Sequence, residues 1–532
     1  MKGTMMGATT MSDVRTYPRR WWAFSVLSLC LLVVALDNTV VNVALPTLVR
    51  DLGATGSELQ WIVDVYVLVF AGLLLIAGSI SDRIGRKRVL LAGLLIFGVG
   101  SVGSAFAGTA SHLIALRALM GVGGALIMPS TLSITTNMFS GKERGRAIGV
   151  WAGVGGIGII IGPLLGGWLL QRFWWGSVFL INVPVIVVAL VAGLALIPES
   201  RDPHPKGLDV VGALLSIVGL GALLYGIIEE PSRGWGDRQI QVTLGAALVL
   251  LVAFVLWERW TRAPMLDLRL FRSAHFTVAT VVLTLLAFAL LGAMFFLTQY
   301  LQFVLGYSAL ETGVRLTPLA VTLFVGAALS ARLTERVGAK VTVTLGTVIC
   351  AGGLAILALA STSGGYGVVA WSLAVMGLGM GAAMAPATDA MMGALPLAQA
   401  GAGSGVNQAT KQVGGALGVA VLGSILSSAY QGAIADVAQR LPAPLAAVVR
   451  DSVGEAMAVA GRLGGVPGAA LTHAAATAYT SAMGTAVLVG AGFALVGAVV
   501  ALIFLPSTPP KQVGEEQSQA ETQTPRETPV GV

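Results

Sequence analysis

The chain has 532 residues, a formal charge of +7, and a composition that is 56% hydrophobic and only 11% charged. A soluble domain carries roughly 25% charged residues, so this composition excludes an ordinary soluble protein and points to an all-α polytopic membrane protein. The bases lie in short loops between apolar runs and not along one face. Nucleic acid is therefore excluded, and anionic membrane lipid is the expected counter-charge.

Arg19 and Arg20 before Trp21 imitate the start of a signal peptide, but the following apolar run is long and has no small-residue cleavage site. It reads as a retained first span. Runs of spanning length fall near 22–46, 60–80, 89–107, 112–135, 145–169, 176–197, 209–228, 240–258, 276–302, 316–333, 341–361, 367–391, 410–430 and 482–505. These fourteen expected spans put both termini on one side. With that side cytoplasmic, its segments hold 22 of the 32 Lys and Arg, against eight in the outer segments, which fits the positive-inside rule. The expected organisation is a cytoplasmic tail at 1–21 and a six-helix bundle at 22–197. A linker with two inserted helices follows at 198–275, then a second six-helix bundle at 276–505 and a disordered cytoplasmic tail at 506–532. The outer loop at 431–478 is long for a turn and is patterned for short surface helices.

Polar groups inside the spans are costly and mark function. In the first span, Asp37 lies beside Asn38 and Asn42, which share a face by their four-residue spacing. These groups face either a watery cavity or a structural partner. In the second span Asp64 lies about 6 Å inside the outer boundary, either as a cavity acid or as an interfacial one. Arg117 of the fourth span lies about 8 Å from the same side, in one layer with both acids. It either biases proton release or forms a structural ion pair. Between the second and third spans, Gly78, Asp82, Arg83, Gly85 and Arg86 belong to a short basic reversal. Glu335, Arg336, Gly338 and Lys340 echo it 253 residues later, the mark of internal repeats. Gly158, Gly162 and Gly166, followed by Gly167 and interrupted by Pro163, offer a groove for close helix packing and a kink. Weaker candidates are Asp389 with Lys411, expected to pair with each other, and Phe296 with Tyr300. The two aromatics share a face and offer either a cation–π surface or a membrane-interface belt.

The reversal at 78–88 resembles the loop motif of the major facilitator superfamily. The stretch 36–46 resembles the first-helix motif of its fourteen-span drug:proton antiporters. The glycine run of the fifth span matches their antiporter motif, and an acid at position 64 resembles the exporters of quaternary-ammonium compounds. Met120 stands where the arginine motif usually has glutamine, and the arginine expected near Trp174-Trp175-Gly176 is missing. The thirteenth span offers amides and Lys411 where some cation exporters place carboxylates.

The resemblance implies two six-helix bundles plus two inserted helices in a bacterial inner membrane. It implies a monomeric efflux antiporter for small lipophilic or cationic compounds, driven by protons, with protonation of Asp37 or Asp64 releasing the substrate. Export of a lipid, siderophore or self-made antibiotic is the alternative within this class, and a membrane enzyme or transporter-like sensor the alternative outside it. No Walker loop is present, Cys30 and Cys350 lie inside apolar runs, and the four histidines form no ligand pair. Neither cofactor nor metal is expected.

Overall fold

The computed structural model describes residues 19–139, 141–201, 207–261, 264, 266–362, 364–394 and 400–507. Most of both predicted tails and much of the Pro-rich linker lie outside these residues. The first half contains α1 (Arg20–Leu52), α2 (Gly56–Ile84), α3 (Arg86–Ala105), α4 (Ala110–Met138) and α5 (Gly141–Arg172). It closes with the short α6 (Ser177–Leu180) running into α7 (Asn182–Leu196). Next come α8 (Val210–Arg233) and α9 (Arg238–Trp260). The second half holds α10 (Ala274–Gln299), which ends in a π turn at Tyr300–Val304, and α11 (Ala309–Arg315). It continues with α12 (Thr317–Leu357), α13 (Gly367–Gly393) and α14 (Ala400–Ala438). Two short helices, α15 (Ala443–Asp451) and α16 (Val453–Leu463), precede α17 (Gly465–Phe504).

Among the described residues, twelve helices are long and apolar enough to cross a membrane. Fourteen were predicted, and the difference has two sources. Helix α5 is 32 residues long but is not among the twelve. The predicted runs 316–333 and 341–361 lie in one continuous element, α12, which Gly338 interrupts with φ 85° and ψ 161°. That region of backbone space is essentially reserved for glycine. Gly85, at φ 126°, makes the equivalent corner between α2 and α3, so the echo seen in sequence has a shared backbone form. Helices also outrun the apolar windows: α17 starts at Gly465 and not near 482, because Ala- and Thr-rich turns are helical without being strongly apolar.

Helix α1 packs on α4, α5 and α7, and α2 on α4. In the second half α10 packs on α14 and α17, and α12 on α13. Helix α8 lies on both α2 and α14, while α9 packs chiefly on α8. Named contacts joining the two halves gather at the end of the bundle that carries the 53–56 turn. There Gln302 Nε2 donates to the Val43 carbonyl (2.9 Å) and the Gly56 N–H donates to Asp451 Oδ2 (3.2 Å).

The glycine stripe on α5 explains how α1 is held. A Cβ at Gly158 would stand 2.5 Å from the Ala35 Cβ, and one at Gly162 would run into Thr39 Oγ1 and lie 3.3 Å from the Leu36 carbonyl. One at Gly166 would meet Val40. Thr39 Oγ1 in turn reaches the Gly158 carbonyl at 3.2 Å. Gly167 faces the other half, where a Cβ would be 2.5 Å from the Ala309 carbonyl; Gly313 of α11 reciprocates against Pro163. Without competing water, backbone approach of this kind drives helix association in membranes. Gly162→Val is therefore expected to destabilise the α1–α5 contact by about 1–3 kcal/mol. The check is a lower unfolding temperature in detergent, with Ile161→Val, on the exposed side of α5, unchanged.

Candidate functional site

The first polar centre is built by α1, α4 and α7. Asp37 and Arg117, both buried, form an ion pair through Oδ2 and Nη1. Asn182 Nδ2 donates to the other oxygen of Asp37 (3.3 Å) and to Ser101 Oγ (3.1 Å). Arg117 Nε donates to the Ile62 carbonyl (3.1 Å), and its guanidinium lies 4.3 Å from the Tyr66 ring centroid. Arginine suits this role because its fixed fork can serve an acid, a carbonyl and a ring face together. Asn38 and Asn42 donate back along their own helix, to the Val34 and Asn38 carbonyls. Met120 accepts from Ser104 Oγ through sulfur (3.5 Å) where the family's amide would stand.

Asp64 does not join this centre. It is fully buried, and neither of its oxygens finds a hydrogen-bond partner among the described residues. The interfacial, water-exposed alternative is thereby corrected. A common layer is not a common face: two residues along a helix turn Asp64 about 160° away from Tyr66, whose ring the Arg117 guanidinium meets. Asp64 lies instead on the stripe Gln60–Asp64–Leu68–Gly72. Gln60 packs on Gly423 of α14, and Leu68 and Gly72 pack on Gly221 and Ile217 of α8.

At the opposite end of the bundle, Asp82 accepts from Arg86 Nε (2.9 Å) and from Ser133 Oγ (3.4 Å). Glu199 accepts from the Lys87 N–H at the start of α3 (3.2 Å), and its carboxylate would crowd any side chain placed at Gly85. Arg83 is exposed, and Gly78 faces Pro129.

The weaker candidates change character. Among the described residues no ion pair joins Asp389 to Lys411; Asp389 is exposed and Lys411 half-buried. Phe296 and Tyr300 are buried, which rules out an interface belt. The Tyr300 hydroxyl donates to the Ser361 carbonyl, and Tyr479 donates to the Phe296 carbonyl. A cavity of about 300 Å³ near Arg50, Gln302, Tyr307 and Glu311 contains none of the predicted site residues.

At the 53–56 end, the hairpin of α15 and α16 docks through Asp451 on the first N–H of α2. Burial pushes the Asp451 carboxyl above its ordinary range, the Gly56 N–H pulls it back, and Glu58 raises it further. Glu455 on α16 is raised as well, by burial and then by Asp451.

Comparison with known proteins places this arrangement. The Major Facilitator Superfamily description matches residues 27–419. The chain is 35% identical over 515 residues to the tetracenomycin C resistance and export protein of Streptomyces glaucescens, covering 96% of this chain and 95% of that one. It is 35% identical over 492 residues to the multidrug efflux pump LfrA of Mycolicibacterium smegmatis, covering 92% and 97%. The methyl viologen resistance protein SmvA of Salmonella typhimurium is 36% identical over 475 residues, covering 87% and 93%. A bacterial homologue of the human lysosomal transporter Spinster, solved inward-facing and unoccupied, shares the fold at a TM-score of 0.64 and 19% identity, covering 92% and 98%. The chain is a multi-pass membrane protein of the transporter class. It belongs to the major facilitator superfamily.

Two outcomes follow from the geometry. Arg117→Ala strands the Asp37 charge and should cost about 3–5 kcal/mol. The Asp37→Ala, Arg117→Ala double variant should cost less than the two single changes together, as read from detergent unfolding curves. The hairpin should respond to pH with a defined sign. Docking raises the proton affinity of Asp451, so docking is strongest below the ordinary carboxylate value of about 3.9 and weakens as pH rises through the raised one. Spin labels at Ala447→Cys and Gly108→Cys should move apart over that window, and Asp451→Asn should shrink the response to the part that Glu455 carries.

Proposed function

We propose that the protein is a proton-coupled efflux antiporter that exports lipophilic, cationic compounds by alternating access between its two halves. Asp64 carries this reading: it is a buried carboxylate whose charge nothing nearby balances, in a chain whose relatives are drug and antibiotic exporters. A proton or a cation can each neutralise it, and their competition for one carboxylate couples the two fluxes. Asp37, already balanced by Arg117, keeps the first half assembled and sets the local field.

In this reading α5 and the two limbs of α12 each cross the bilayer, giving fourteen spans with α8 and α9 inserted between two bundles of six. Both termini and the Asp82 reversal are cytoplasmic, and the 53–56 end faces outside. The halves are then joined outside and the protein stands inward-facing, with Asp82 and Arg86 setting the inward–outward balance. It works as a monomer without a cofactor, drawing on the proton gradient, in which one charge crossing 100 mV releases about 2.3 kcal/mol.

Ethidium transport in energised inside-out vesicles tests the proposal. Wild type should accumulate ethidium and stop when the proton gradient is collapsed, and Asp64→Asn, a fixed mimic of the protonated acid, should lose gradient-driven accumulation and bind ethidium more weakly. Gradient-independent accumulation, or an Asp64→Asn variant that pumps like wild type, would remove it. The export of an antibiotic by the Streptomyces relative supports a second reading, in which the substrate is an uncharged antibiotic. Competition between such a compound and ethidium separates the two.

A further inference from the structure

Helix α8 has no part in the two-bundle design, yet it forms one wall around Asp64. It runs antiparallel to α2 with a regular pairing: Ile217 against Gly72, Gly221 against Leu68, and Tyr225 beside Trp61 at 6.4 Å between ring centroids. That register puts Asp64 level with Leu224 and Tyr225. Glu230 lies about 8 Å nearer the 53–56 end, five residues further along α8. Glu230 is buried, and the Ser424 hydroxyl of α14 stands against its carboxylate. The preceding residue of α14, Gly423, has the Gln60 amide packed directly on its Cα, and Gln60 Oε1 is buried without a partner among the described residues. Gln60 is one turn from Asp64. Polar groups from α2, α8 and α14 thus descend from the bundle end toward the buried acid, and Gln60 also lines a small cavity with Gln299, Ser427 and Asp451.

We infer that Glu230 is the outer proton acceptor for Asp64, so that the inserted helix α8 supplies the entry route for the coupling proton. This rests on the proton-coupled reading of Asp64. A proton from outer water binds the Glu230 carboxylate and passes through the Ser424 hydroxyl and water held by Gln60 to an oxygen of Asp64. Each transfer breaks one O–H bond and forms another, with no change of oxidation state; the Gln60 amide orients and does not itself carry the proton. Apart from Asp451 and Glu455 of the α15–α16 hairpin, the other charges near this route are engaged or distant. Glu229 pairs with Arg233 (3.8 Å), and Glu58 caps Thr55. Asp451 holds Gly56 but shares a cavity with Gln60, and Arg117 holds Asp37. Asp237 caps α9, beside the exposed Arg238, and Lys411 lies 13 residues away along α14.

The test follows the infrared band of protonated Asp64, assigned by its loss in Asp64→Asn, after an acid jump outside protein-containing liposomes. Glu230→Gln should slow the appearance of the band at least about tenfold, as expected when an acid–base relay is lost. Glu230→Asp should load near the wild-type rate, and Ser424→Ala should fall between. Equilibrium ethidium binding should be unchanged in all three, and any transport defect of Glu230→Gln should be relieved as the outer side is made more acidic. Wild-type loading in both Glu230→Gln and Ser424→Ala would overturn the inference. So would ethidium binding that weakens in step with loading, or an Asp64 that takes no proton from outside. If loading depends on Glu230 but ethidium transport ignores the proton gradient, the route stands and the coupling proposal falls.

Discussion

The first half of the protein depends on one ion pair placed where water cannot help. An isolated charge at the centre of a membrane helix costs about 2.5–3.5 kcal/mol on insertion scales. Asp37 and Arg117 each remove that penalty for the other. Asn182 takes the second acid oxygen and Ser101 the amide, so α1, α3, α4 and α7 are tied to one buried knot. The glycine face of α5 clamps α1 from another direction. Helix α1 is therefore fixed by charge on one side and by backbone contact on the other.

Depth along a helix can be read from a sequence because every residue adds the same rise. Azimuth cannot, because it depends on which helices become neighbours. The reading therefore placed Asp37, Asp64 and Arg117 in one layer, and the structure divides that layer: Arg117 turns to Asp37, while Asp64 turns to the seam of α2, α8 and α14. The four-residue spacing of Gln60, Asp64 and Leu68 was the available signal, since it marks a face distinct from that of Ile62 and Tyr66. The same lack of azimuth explains Phe296 and Tyr300, whose shared face points into the second half and not to lipid or a belt.

Motifs written in glycine were more legible, because their physics is local. Gly85 and Gly338 adopt positive φ where the repeat placed them, and the α5 stripe needs only close approach. The Asp389–Lys411 pair failed because opposite charge does not specify distance, and those two residues come from different helices, α13 and α14. Asn182 and Ser101 were passed over as partners because small polar residues are common in spans and carry no charge to draw attention.

Helix α9 adds a mechanical property. Its 23 residues span about 35 Å, against a hydrocarbon thickness of about 30 Å, and it packs chiefly on α8. Most of its surface therefore meets acyl chains, and its tilt follows the thickness of the bilayer. Leu244 presses against the Cα of Gly226, so a change of tilt bears on α8 between Ile217 and Glu230. Lipid composition thus acts as a load on α8, applied through a strut whose packing is chiefly on that one helix.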